Sequence, residues 1–184
     1  MDWVDLVLSR RSIRRYETRK IPQEVLDKIL EAGRKAPTAD NRQPWRFIVI
    51  TDPEIKEKLL QDEYNVQAAS FIKEAPVTIV GCGLVREDEY TRKWGTIYSI
   101  LDTTIALQNM VIAAWAMGVG SCWIGVQATP FDDIVRRLLK IPKDWKIIAL
   151  ISFGYPAKQP GPIKKKSIEE IVSYNTFEEK TTSR

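Results

Sequence analysis

The stretch from Ile97 to Val119 constrains this chain more than any other segment. It is almost wholly apolar and long enough, as a helix, to reach across a bilayer. It also contains Asp102, Gln108 and Asn109, and it is rich in small residues that suit close helix packing. A carboxylate held in lipid costs about 2.5–3.5 kcal/mol on insertion scales. The segment therefore reads as a long core helix, Tyr98 to Met117, with no membrane as its partner.

The flanking segments supply what such a helix packs against. Val4 to Leu8 reads as a short apolar helix. Ile21-Pro22 opens another, in which Val25, Leu26, Ile29, Leu30 and Gly33 recur on one face and Pro37 marks the stop. Trp45 to Ile50, Val77 to Val80, Ser121 to Ile124 and Lys146 to Phe153 read as strands. The nearly continuous apolar run in the last suits a sheet covered on both faces. Asp52-Pro53 caps a helix through Leu60. Thr129 and Asp132 have capping-box spacing ahead of the amphipathic helix that carries Ile134, Val135, Leu138 and Leu139. The expected architecture is α+β, a three-layered sandwich with a short mixed sheet flanked by helices around the long central helix. Residues 1–184 are expected to form a single domain, with 160–184 as a C-terminal extension packing on a partner subunit.

Composition removes whole classes of chemistry. There is no histidine, so a Ser-His-Asp triad, a Cys-His dyad and an HExxH zinc site are all excluded. Two cysteines, Cys82 and Cys122, make neither a disulfide scaffold nor a tetrahedral metal site within one chain. With Met1-Asp2-Trp3 at the start, no basic segment precedes an apolar one, and a cytoplasmic location is expected. The net charge of +4 favours anionic partners without specifying them.

Four motifs remain. Ser9-Arg10-Arg11-Ser12-Ile13-Arg14-Arg15 offers guanidinium groups, which bind phosphate bidentately, but it also reads as a solvated basic turn. Ala36 to Trp45, through Pro37-Thr38-Ala39-Asp40-Asn41-Arg42-Gln43-Pro44, is a loop between a helix end and a strand start. It can offer backbone N–H groups and amides to a flat polar ring, and equally its prolines can be turn residues. Gly118-Val119-Gly120-Ser121-Cys122-Trp123-Ile124-Gly125 lacks the third glycine of a dinucleotide fingerprint and the GK[ST] end of a P-loop. Taken alone it is a helix end followed by a strand. Lys164-Lys165-Lys166 is either a solvated tail or a cover over a phosphate.

The order of these motifs carries more than any one of them. RRSIR, PTADNRQPW, EAPV before a strand, GxGSCWIG and KIPxxW-strand-GYP, from about Val4 to Val172, together resemble the nitroreductase-like FMN-dependent oxidoreductase family. That resemblance implies FMN at a homodimer interface and NADH or NADPH as donor. It implies ping-pong reduction of electron-poor acceptors such as nitroaromatics or quinones, with hydride passing through flavin N5 and no obligatory catalytic side chain. It assigns Arg10, Arg11, Ser12 and Arg14 to the FMN phosphate and ribityl chain. Pro37, Thr38, Ala39 and Asn41, with Gln43 beside them, fall to the loop lent by the second subunit. Ile124 and Gly125 are the backbone near the ring, and Lys164 and Lys166 the basic positions near the phosphate. Gln67 is a further polar position ahead of the EAPV strand, and Tyr90 and Trp94 in the Leu84–Trp94 segment are candidates for the acceptor side.

The same FMN contacts would serve reductive dehalogenation, enone reduction, flavin destruction or a non-catalytic FMN carrier. A basic nucleic-acid-binding module is the reading from a different class. No helix-turn-helix, RRM or zinc-finger pattern supports it, and the tryptophans are not interleaved with the arginines.

Overall fold

The computed structural model describes residues 2–61, 69–85, 96–127, 129–158 and 160–177. Gln67, Tyr90 and Trp94 lie outside these residues, as does most of the Leu84–Trp94 segment. In chain order the elements are α1 (Trp3–Ser9), α2 (Gln23–Arg34), β1 (Trp45–Ile50), α3 (Pro53–Leu59), β2 (Val77–Leu84), α4 (Ile97–Ala116), β3 (Gly120–Ile124), α5 (Pro130–Leu138), β4 (Trp145–Gly154) and α6 (Ile168–Ile171). Single 3-10 turns lie at Ala39–Asn41 and Ser70–Ile72.

The sheet has the order β1-β2-β4-β3, and every neighbouring pair is antiparallel. The mixed sheet expected from sequence is thus corrected. Among the described residues the one parallel pairing is an isolated bridge between Ser12 and Ser121, outside the named strands. Strands buried on both faces do not reveal their direction, because the apolar run is the same either way. Strand β2 is also longer than expected, running through Gly81-Cys82-Gly83 to Leu84 with a bulge between Gly81 and Cys82.

Both faces of the sheet are covered, which is why β2 and β4 are apolar almost without interruption. On one face Ile79, Ile148, Ile151 and Phe153 meet Leu26 and Ile29 of α2 and Leu107, Met110 and Ala114 of α4. On the other, Val80, Ile147 and Leu150 meet Leu59, Ile72, Phe131 and Val135. The long apolar helix is therefore a core helix of the sandwich. Along one ridge Ile97, Leu101 and Ile105 stay exposed at helical spacing.

Helix ends follow local chemistry. Asp52 caps α3 through its carboxylate, which accepts from the Glu54 N–H at 2.8 Å. The capping box expected at Thr129 does not form. The Thr129 hydroxyl donates to the Val126 carbonyl at 2.7 Å, and Asp132 pairs with Arg136 instead. A capping box does form at α6, between Ser167 and Glu170.

Candidate active site

The arginine motif is an extended segment laid against β3. The Ile13 N–H donates to the Ser121 carbonyl at 2.9 Å, and Ile13 itself is 1% exposed. Gly120 makes this approach possible: a Cβ there would meet Ile13 Cγ1 at 2.4 Å. Further along, the Glu17 N–H donates to the Tyr155 carbonyl and the Ala157 N–H to the Arg15 carbonyl, so the segment is stitched first to β3 and then to the chain just beyond β4.

The four arginines of the motif then divide by partner. Arg11 donates to the Gly161 carbonyl, tying the motif to the start of the C-terminal extension. Arg15 lies 3.6 Å from the Glu74 carboxylate. Arg10 and Arg14 pair with no carboxylate among the described residues. Both approach Cys122 on β3, and their positive charges pull its thiol down, but burial is the larger effect and the thiol stays above its ordinary value. The Arg14 guanidinium also lies over the Phe71 ring, 5.9 Å from its centroid. Two cations beside the edge strand of the sheet, without an ion pair among the described residues, are what an anion would seek.

Strand β3 leads from these arginines to Ile124 and Gly125. Ile124 is buried, whereas Gly125 is exposed and a Cβ built on it would meet nothing within 4 Å. Backbone there is open to a flat group. Lys164 and Lys166 are exposed on the extension that Arg11 anchors.

The Pro37–Gln43 loop is built differently. Asp40, Asn41 and Gln43 all have positive φ, at 50°, 54° and 51°, a conformation that costs L-residues energy and clusters at functional sites. Thr38 Oγ1 accepts from the Gln43 N–H at 3.2 Å, and the Gln43 amide donates to the Asn41 carbonyl at 3.0 Å. The scaffold reaches this loop through Asp102 of α4, which is 4% exposed and accepts from the Ala39 N–H at 3.3 Å.

The structure brings Arg10, Ser12 and Arg14 together with the strand that ends at Ile124 and Gly125. It does not bring Pro37, Thr38, Ala39, Asn41 and Gln43 to them. That loop feeds β1, and β1 and β3 are opposite edges of the sheet, about 14 Å apart at the usual interstrand spacing. Sequence reasoning missed Tyr16, Ser152 and Glu74, which hold the arginine segment, and saw Asp102 only as a charge in an apolar helix. The available signal for Tyr16 was a hydroxyl-bearing aromatic directly following the motif. Nothing local marked Ser152, which is 136 residues away from it.

The fold is that of a class of α+β oxidoreductases. The nitroreductase family profile matches residues 7–155, and the chain belongs to the nitroreductase family. It is 38% identical over 164 residues to a protein of Methanothermobacter thermautotrophicus classed as an NADH dehydrogenase/NAD(P)H nitroreductase, covering 88% of this chain and 81% of that one. It is 31% identical to an NADH dehydrogenase of Thermus thermophilus, over 94% of this chain and 95% of that one. Among solved structures, an FMN-dependent nitroreductase from Clostridium difficile superposes with a TM-score of 0.82 at 30% identity, covering 95% of this chain and 99% of the other.

Proposed function

We propose that this protein is an NAD(P)H-dependent FMN oxidoreductase that reduces electron-poor acceptors, nitroaromatics or quinones among them. The observation that carries this is the pair Arg10 and Arg14, without carboxylate partners among the described residues, beside a strand that ends in the open backbone of Gly125. The residues fit FMN: cations for a phosphate at one end of the strand, and at the other a glycine whose missing side chain leaves space for a ring. Micromolar retention of FMN corresponds to about 8 kcal/mol. Two or three charge-assisted hydrogen bonds at about 1.5–3 kcal/mol each, with burial of the ring, are enough to supply it.

Bound FMN would supply the two-electron chemistry, taking hydride from the nicotinamide and passing it to the acceptor in separate half-reactions. The protein's own residues bind and orient. Arg10 and Arg14 would neutralise the phosphate with Ser12 adding a donor, and Lys164 and Lys166 would add positive charge near it. Ile124 and Gly125 would present backbone to the ring.

The loop Pro37–Gln43 would meet that ring from a second subunit. The sheet order favours this, because one chain keeps the loop and the arginines on opposite edges whereas a two-fold pair can bring one edge of each chain together. Apolar surface is available for such a pairing. Trp3, Val4, Val7 and Leu8 of α1, the ridge Ile97, Leu101 and Ile105, and Ile168, Ile171, Tyr174 and Phe177 of the extension are all exposed in the single chain. In this reading the extension packs on the partner.

The test is the visible spectrum of purified protein, followed by anaerobic addition of NADH and then NADPH. Flavin bands that bleach with either nucleotide are expected. Bands that persist with both would turn the reading toward an FMN carrier, and a colourless protein that does not take up added FMN would sink it.

A further inference from the structure

Among the described tyrosines only Tyr16 is buried. Burying a phenolic hydroxyl is costly unless the group is hydrogen-bonded, and a phenylalanine would fill the same space without that cost. The hydroxyl of Tyr16 is fully engaged. It donates to the Ile13 carbonyl at 2.6 Å and lies 2.7 Å from Ser152 Oγ, which can donate to it in turn. Ser152 is itself wholly buried on β4, in the middle of the sheet. Burial holds the Tyr16 hydroxyl well above its ordinary pKa, so it remains a donor throughout the working range.

What this hydroxyl fixes is the backbone just ahead of Arg14. The Ile13 N–H is already committed to Ser121, and Tyr16 commits the Ile13 carbonyl. With both polar groups of Ile13 tied to the scaffold, the peptide leading into Arg14 has one orientation. The Tyr16 N–H lies 3.3 Å from a Glu74 carboxylate oxygen. Glu74 also sits beside Arg15, so its carboxylate is shared between the Tyr16 N–H and that guanidinium. Ring, hydroxyl and amide of one residue thus hold the segment from three directions.

We infer that Tyr16 is a positioning residue for the phosphate end of the flavin site: through the Ile13 carbonyl it sets the direction from which Arg14 reaches the phosphate. This rests on the FMN reading above. The role is specific to the phosphate, because Tyr16 touches neither Ile124 nor Gly125 in any hydrogen bond of the described residues. A merely structural tyrosine would affect every flavin alike, whereas a positioning one should affect only those that carry the anion.

Equilibrium titrations with FMN and with riboflavin separate the two, using the full chain as wild type, Arg14→Ala, Tyr16→Phe and Ser152→Ala. Tyr16→Phe is expected to weaken FMN about fivefold, the equivalent of one neutral hydrogen bond, while riboflavin affinity stays within about twofold. Ser152→Ala should move the same ratio in the same direction by roughly twofold. Equal losses for both ligands in Tyr16→Phe, or no loss for either, would overturn the positioning role while leaving the FMN reading intact, provided wild type prefers FMN and Arg14→Ala abolishes the preference. A wild type that binds both ligands equally would overturn the FMN reading and this inference with it. Should Tyr16→Phe fail to fold, Ser152→Ala decides, and an unchanged FMN-to-riboflavin ratio in that variant overturns the role.

Discussion

The two edges of the sheet hold their candidate segments by opposite means. At the β3 edge, residues 10–17 are extended, hydrogen-bonded first to β3 and then to the chain just beyond β4, and buried at Ile13 and Tyr16. At the β1 edge, residues 37–43 hold one another through Thr38, Asn41 and Gln43, in three positive-φ conformations, and Asp102 is the buried side chain that ties them to the scaffold. The first arrangement aims long charged side chains from a rigid rail. The second shapes backbone. Charge recognition needs a fixed root because an arginine has many rotamers, whereas a flat ring needs a fixed main-chain contour and little side-chain reach.

That contrast can be broken in stages. Arg14→Ala should have the largest effect, weakening FMN by about 2 kcal/mol, or roughly thirtyfold, and leaving riboflavin nearly untouched. Unchanged FMN affinity in a titration would remove Arg14 from the phosphate site. Gly125→Ala comes next. Its new methyl meets no protein atom within 4 Å, so thermal stability should hold within about 0.5 kcal/mol. FMN and riboflavin should both weaken, about tenfold, and a variant that binds both normally would show that the ring lies elsewhere. Asp102→Asn should have the smallest effect. It weakens the grip on the Ala39 N–H, lowers unfolding free energy by about 1 kcal/mol in denaturant melts and reduces both flavins in parallel. A loss confined to FMN would erase the division between a charge edge and a shape edge.

How much of this was legible in the sequence differed by scale. Apolar runs such as Lys146 to Phe153 announced strands covered on both faces, and Ile97 to Val119 announced a core helix, because burial pattern is written locally. The direction of the strands was not, since a run buried on both sides looks the same in parallel and antiparallel pairing. The arginines offered phosphate chemistry that a solvated turn would explain equally well, and they and Gly125 became candidates through the family resemblance of the ordered motifs. How the four arginines divide by partner could not be foreseen, because that depends on Glu74 and Gly161, far along the chain from the motif. The roles of Tyr16 and Asp102 were hidden for the same reason. Their partners lie 136 and 63 residues away, and a lone polar atom in an apolar stretch does not say what it will meet.

The strand order has a consequence for inheritance. In the two-fold pair proposed here, each site takes its arginines from one chain and its loop from the other. A chain damaged only at Arg14 and a chain damaged only in the loop would each be inactive with copies of themselves. Paired together, one of their two sites collects both lesions and the other collects neither. Two such alleles expressed in one cell would therefore restore each other, at half occupancy of every mixed pair, although neither encodes a working site of its own.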